Sequence, residues 1–239
     1  MNWILLGVSL LNMLLGLYVF RKDPTKSANR AFAYFTVPVV LWTMGLFFAH
    51  TYMWTQIKLF RLTFVGGSLL PVALLLLSKA LPHSSTFRWG WDLRFFGLVG
   101  SLFTGLSFSP LIVVDRSLRL SAEGTYIQFI YGPVYPYFAL YVATCGGYVF
   151  FRLIWQYRRA SGLSKGQLGC LILGLVVPGS LTLLTNLFVP LLSGNSQLSK
   201  YGPLFSLLMI AMIGHAIIRH RLMDIRVVIK KGAVYVTAF

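Results

Sequence analysis

From Tyr201 to Ile218 the chain holds no lysine, arginine, aspartate or glutamate, and immediately after it come Arg219, Arg221, Arg226, Lys230 and Lys231. A helix of that composition is at home in hydrocarbon along its whole length and ends at a charged surface. Six comparable runs precede it, at about 2–20, 31–53, 59–80, 94–114, 128–156 and 167–192, with 201–218 as the seventh. Each approaches or exceeds the roughly 20 apolar residues a helix needs to cross a bilayer. Only 11% of the residues are charged, against about 25% in a soluble domain. The expected fold is an all-α membrane protein, a seven-transmembrane-helix bundle. The connections, such as Asp23-Pro24-Thr25-Lys26-Ser27 and Ser193-Gly194-Asn195-Ser196, are short and leave no room for a separate extramembrane domain.

The basic residues set the expected orientation. With an outside N-terminus, 16 of the 21 lysines and arginines fall on inner segments, and five (Lys58, Arg61, Arg116, Arg119, Lys200) on outer ones. That asymmetry predicts an outside N-terminus and a cytoplasmic C-terminus. Residues 1–20 lack a basic n-region and a small-residue cleavage site, so they read as an uncleaved first crossing rather than a signal peptide. The net charge of +16 is therefore topology; the basic residues are dispersed between apolar runs rather than gathered on one soluble face, which argues against nucleic acid. The fifth run exceeds what a bilayer requires, and Pro133 and Pro136 near its outer end are expected to kink it.

No catalytic or metal-binding pattern emerges. The five acids (Asp23, Asp92, Asp115, Glu123, Asp224) lie in or near loops, and His50, His83, His215 and His220 show no metal-ligand spacing. The last run has no lysine for a retinal Schiff base. Cys145 and Cys170 both sit in apolar runs and suggest small packing residues, not a disulfide framework. No cofactor is implied.

Two polar groupings stand out. In the outer half of the bundle, Trp42, His50, Ser107, Tyr131, Tyr135 and Asn186, with Tyr52, Ser109 and Tyr137 nearby, form a set suited to a small or lipidic ligand. The bland alternative is an interfacial aromatic belt with ordinary interhelical hydrogen bonds. The second grouping is His215 with the basic exit. His215 reads either as a polar hinge or, preferably, as a neutral histidine bonded to a neighbouring carbonyl. Beyond it, Leu222, Ile225 and Ile229 recur at helical spacing while Arg219, Arg226 and Lys230 project elsewhere, so an amphipathic output segment is expected. Asp224, three residues after Arg221, offers a local ion pair. Small residues, among them Gly66-Gly67-Ser68, Gly97 to Gly105, Cys145-Gly146-Gly147 and Gly169 to Gly174, are expected to let helix backbones approach.

Several segments carry a family likeness. Asn29-Arg30-Ala31-Phe32 leading to Leu41-Trp42-Thr43-Met44-Gly45, then Phe60-Arg61-Leu62 with Pro71, then Tyr157-Arg158-Arg159-Ala160-Ser161-Gly162 with Gln167, occur in order. Ala216-Ile217-Ile218-Arg219-His220-Arg221-Leu222-Met223-Asp224-Ile225 closes the series. The chain resembles the N-terminal seven-helix membrane region of bacterial sensor histidine kinases. The resemblance implies a sensory input module in a bacterial cytoplasmic membrane, with residues 1–218 as sensor and 219–239 as exit. His215, Arg219, Arg221, Asp224 and Arg226 would then carry the output. The implied partners are membrane lipid, a small or lipidic ligand, and a cytoplasmic kinase or other output domain, with a homodimer left open. No phosphoacceptor-histidine helix or ATP-binding domain is present in the 239 residues, and Gly232 to Phe239 reads as the start of a further segment. The alternatives are a small permease or scramblase and a passive membrane anchor.

Overall fold

The computed structural model describes residues 2–51, 59–81, 90–121, 124–193 and 196–217. Helix α1 is Asn2–Lys22, α2 Ser27–Thr51, α3 Leu62–Ala80 after a 3-10 turn Leu59–Arg61, and α4 Trp91–Leu106. A β-hairpin follows, β1 Val113–Ser121 and β2 Gly124–Tyr131, and then α5 Tyr135–Arg159. Helix α6, Gly162–Leu183, runs through a π-helical turn, Leu184–Phe188, into a final α-helical turn, Val189–Ser193. The last helix spans Gln197–Ile217 and opens with a 3-10 turn, Gln197–Tyr201. Among the described residues six of the helices are long and apolar enough to cross a membrane. Helix α4, with 16 residues, reaches only about 24 Å; a shortfall of that size is met by local thinning of the bilayer.

The helices are patterned for lipid rather than for water. Along α1 the inward stripe is Leu5, Val8, Ser9, Asn12, Gly16 and Val19, whereas Trp3, Leu10, Leu14, Leu17 and Tyr18 face outward. The small and polar side chains are inside because lipid gives a large apolar side chain no reason to hide, while a hydroxyl or amide needs a protein partner. Asn12 Nδ2 donates to Ser206 Oγ of the last helix at 3.4 Å, and Asn29 Nδ2 of α2 donates to the Val19 carbonyl at 2.9 Å. These bonds hold the first two helices and the last one together.

The hairpin corrects the expected limits of the fourth and fifth crossings. Residues 113–114 and 128–131, read above as membrane helix, are strand. The register pairs Val113 with Tyr131 and Ser121 with Gly124, with an irregularity between Val113 and Asp115. The local reason is alternation: Phe129 is buried and Tyr131 partly buried, while Ile130 between them is exposed, a period of two inside a run too apolar to announce itself. Neither proline kinks α5. Pro133 lies before the helix and Pro136 in its first turn, where the missing N–H would have no intrahelical partner.

The hairpin caps one end of the bundle. Phe129 stacks on Phe60 with ring centroids 6.0 Å apart, and its backbone N–H donates to Ser196 Oγ at 3.1 Å. At the opposite end, Asp92 at the start of α4 binds Lys79 Nζ of α3 at 2.6 Å and accepts from Tyr148 of α5 at 3.0 Å. Arg152 Nη1 lies 3.9 Å from the same carboxylate. Between the two ends, the Tyr141 hydroxyl of α5 donates to the Ser68 carbonyl of α3 at 2.9 Å, and Ser68 Oγ meets Thr104 Oγ1 of α4 at 2.7 Å. Replacing Asp92 with alanine leaves the part-buried Lys79 ammonium without its partner and should destabilise the bundle by about 1–2 kcal/mol. The measurement is the melting temperature in detergent, and an unchanged value would mean that the pair contributes nothing to holding α3, α4 and α5.

Candidate functional site

Five elements meet just beneath the hairpin. The first contact is α2 on α3. Side chains added at Gly45 and Gly66 would collide, respectively, with Thr63 and with the backbone of Trp42, so these glycines set how closely the helices approach. Trp42, Thr63 and Phe64 are thereby fixed along one wall of a cavity of about 100 Å³. Entry into α5 supplies Tyr135 and Phe138, and β2 supplies Phe129 and Tyr131. Phe64 lies edge-on to Phe129, Tyr131, Tyr135 and Phe138 with centroid distances of 5.8, 6.5, 6.4 and 6.0 Å. Tyr131 and Tyr135 stack at 3.9 Å.

The opposite wall comes from α6 where it changes from α to π geometry. The widened turn places Asn186 in the cavity wall, one helical step beyond Thr182. Pro190 lies just past that turn and lacks the N–H a regular ladder would use. Asn186 Nδ2 donates to the Thr182 carbonyl at 3.2 Å and to Thr185 Oγ1 at 2.9 Å. The start of the last helix closes the cavity: Ser199 lines it, and a side chain at Gly202 would strike both Asn186 and Trp42.

The walls hold hydrogen-bonding capacity that the protein does not use. Thr63 Oγ1 and Thr182 Oγ1 are buried without a partner among the described residues, and the Tyr135 hydroxyl lies beside Tyr131 without an aligned bond. In a region that lipid keeps from water such groups are costly and call for an occupant. Burial holds the Tyr131 phenol, in the hairpin, well above the ordinary tyrosine range. No described residue around the cavity carries a formal charge.

A second space opens below the first, between α5 and α6. It is a cleft of about 370 Å³ that shares Trp42, Leu70, Val142, Thr182 and Leu183 with the cavity. The expected role of small residues divides here. Gly66 and Gly174 do meet neighbouring helices, but a Cβ added at Gly146, Gly147 or Gly179 would meet nothing within 4 Å.

Of the ligand candidates read from sequence, Trp42, Tyr131, Tyr135 and Asn186 surround one cavity. Ser107 does not: it is buried and its hydroxyl donates to the Phe103 carbonyl of its own helix at 2.7 Å. Tyr137 is 66% exposed on the lipid-facing side. His50 belongs to α2, its side chain lies outside what the structure describes, and Tyr52 lies outside the described residues altogether. Thr63, Phe64, Phe129, Phe138, Thr182 and Ser199 were not anticipated. Thr182 had a readable signal, lying four residues before Asn186 on the same helix face.

In the output group, His215 corrects its preferred reading. It is exposed in a groove with Lys165, Tyr157 and Cys170, and among the described residues no hydrogen bond reaches it. Arg219, Arg221, Asp224 and Arg226 lie outside the described residues.

The cavity walls predict a flat pH response. Tyr131 stays protonated well past the ordinary tyrosine value of about 10, so occupancy measured from about pH 6 to pH 9 should not change. Stability should fall only as pH rises past about 10, where the unfolded chain ionises its tyrosines and the buried phenol resists doing so. Unfolding midpoints across that range check the sign.

A family model describing the N-terminal 7TM region of histidine kinase matches residues 4–226. No curated protein matches the chain.

Proposed function

The chain belongs to the family of N-terminal 7TM regions of histidine kinases, and we propose that it detects a ligand in the cavity beneath its hairpin and reports occupancy through its last helix. A region of this kind is a multi-pass membrane input module, is not itself catalytic, and works with a cytoplasmic kinase domain. The finer assignments are ours: a bacterial cytoplasmic membrane, the N-terminus and hairpin outside, and an output path through His215, Arg219, Arg221, Asp224 and Arg226. The orientation is supported by the 16-to-five division of basic residues. Acyl transfer, metal hydrolysis and similar chemistries find no support in a cavity built of aromatic rings, hydroxyls and one amide.

One observation carries the signalling reading. Gly202, at the start of the last helix, seats directly against Asn186 and Trp42, two walls of the cavity. An occupant that bonds Asn186 competes with the bonds that now hold it to Thr182 and Thr185. The Asn186 side chain then shifts against Gly202, and the last helix moves with it. Met209, two turns further along the same helix, is buried and lines the lower cleft, so the helix touches both spaces before it leaves the membrane. The ligand shifts the equilibrium only by the difference between its affinities for the two helix positions.

The test is made in the full-length kinase. Asn186→Leu and Tyr135→Phe should each raise the stimulus concentration for half-maximal kinase response about tenfold, the effect of losing roughly one to two hydrogen bonds, with membrane levels unchanged. A response indifferent to both substitutions would favour a passive anchor. A cytoplasm-specific reporter fused behind Phe239 should be active, and activity confined to an outside-specific reporter would reverse the orientation and remove the output path.

A further inference from the structure

Resting on the cavity as the stimulus site, we propose that its ligand is an uncharged single-chain amphiphile. Its head, bearing hydroxyl or carbonyl groups, sits among Thr63, Tyr135, Thr182 and Asn186, and its one hydrocarbon tail lies in the cleft between α5 and α6. Three features fix these terms.

The first is continuity. The cavity and the cleft share Trp42, Leu70, Val142, Thr182 and Leu183, so one elongated molecule can occupy both. The second is the mismatch in wall chemistry. The upper space holds two hydroxyls with no partner among the described residues, on Thr63 and Thr182, and that of Tyr135, which has only an unaligned contact with Tyr131, whereas most of the lower wall is Leu, Val, Ala, Gly, Phe and Met. No described residue around either space is cationic or anionic. A carboxylate or phosphate head would leave water for a site with no counter-charge, a transfer that costs many times what a neutral hydroxyl loses. The head is therefore neutral, able to donate to and accept from hydroxyls and an amide.

The third is the empty seam. Gly146 and Gly147 on α5 and Gly179 on α6 line the cleft, and at none of them would an added Cβ come within 4 Å of a neighbour. Glycines at a helix seam ordinarily bring backbones together; these three leave a channel. Along α5 the cleft runs from Val142 to Phe150, about 12 Å of helix, and its 370 Å³ is near the low end of single-ligand pockets. That suits one chain of medium length rather than the two of a membrane phospholipid.

The experiment uses the full-length kinase in phosphatidylcholine nanodiscs and a monodecanoylglycerol carrying a photoreactive diazirine in its tail. Crosslinks mapped by mass spectrometry should concentrate on residues 142–150 and 175–183. Unlabelled monodecanoylglycerol should compete, with decanoate at pH 8 at least about tenfold weaker. Gly179→Leu, at a position where a Cβ meets nothing within 4 Å, projects into the channel and should reduce crosslinking about tenfold or more. Gly97→Leu, also in open space but on α4, should leave it unchanged, which separates blocking from misfolding. Crosslinks scattered over lipid-facing residues such as Leu98 and Leu140, equal competition by decanoate, or indifference to Gly179→Leu would each overturn the proposal. Its fate is separable from that of the sensing role. Mapped crosslinks with unaltered kinase output would uphold the amphiphile and defeat the sensor, and unmapped crosslinks with output still dependent on Asn186 would do the reverse.

Discussion

A hydroxyl inside a bilayer has no water to fall back on. That constraint organises this bundle, because every polar side chain turned inward must find a protein partner or remain at a cost of several kcal/mol. Most find one. Ser68 bonds the Val65 carbonyl within its helix, Ser78 the Leu75 carbonyl and Ser206 the Pro203 carbonyl, while Asn12, Asn29 and Tyr141 reach across to other helices. Of the buried side-chain atoms left without a partner among the described residues, those of Asn12, Arg61, Arg152 and Gln156 are scattered, whereas those of Thr63, Thr182 and Tyr135 gather around a single cavity. It is their convergence on one enclosed space, rather than their being unmatched, that marks the place where something else belongs.

The same constraint decides which parts of the fold are legible from sequence. Long uncharged runs announce helices because no other open structure satisfies its own backbone in hydrocarbon, and the limits of α1, α2, α3, α6 and the last helix follow within a few residues. The hairpin is hidden for the converse reason. Val113, Val114, Phe129, Ile130 and Tyr131 are as apolar as the helices they adjoin, and only the alternation around Phe129 separates the two. Misreading that segment also misplaces the start of α5 and the role of Pro136. The candidate site is legible where a residue is conspicuous in an apolar run, as Asn186, Tyr135 and Trp42 are. Ser107 shows the limit, since a serine within a helix can bond its own turn, and sequence does not say which way it points. Glycines are least legible of all: Gly66 and Gly146 look alike in the chain, yet one sets a helix contact and the other faces a void.

The two ends of the bundle are built for different tasks. At one, Asp92 accepts charge-assisted hydrogen bonds from Lys79 and Tyr148 and lies within ion-pair range of Arg152, which ties α3, α4 and α5 together. Contacts to the last helix are of another kind, made by apolar packing and with no ion pair among the described residues. They are the seating of Gly202 on Asn186 and Trp42, the burial of Met209, Ile210, Ile213 and Ile217, and one long amide–hydroxyl bond from Asn12. Apolar packing is less directional than a charge-assisted bond, so the last helix can slide against its neighbours at less cost than α3, α4 and α5 can separate.

How much a ligand could shift that element is bounded by what it touches. Moving a two-state equilibrium from 1:99 to 99:1 takes about 5.5 kcal/mol of differential affinity, whereas a neutral hydrogen bond contributes about 1 kcal/mol net. Bonds to the leftover hydroxyls alone fall short of a complete switch. A tail lying against Met209 adds contact with the helix that moves, so that head and tail together act on it at two heights. A head group without a tail would bias the last helix at Gly202 only, and the output would be graded rather than all-or-none. The arrangement of one polar chamber above one apolar channel, both bordered by the same helix, is what allows an occupant spanning the two to act on that helix as a lever rather than at a point.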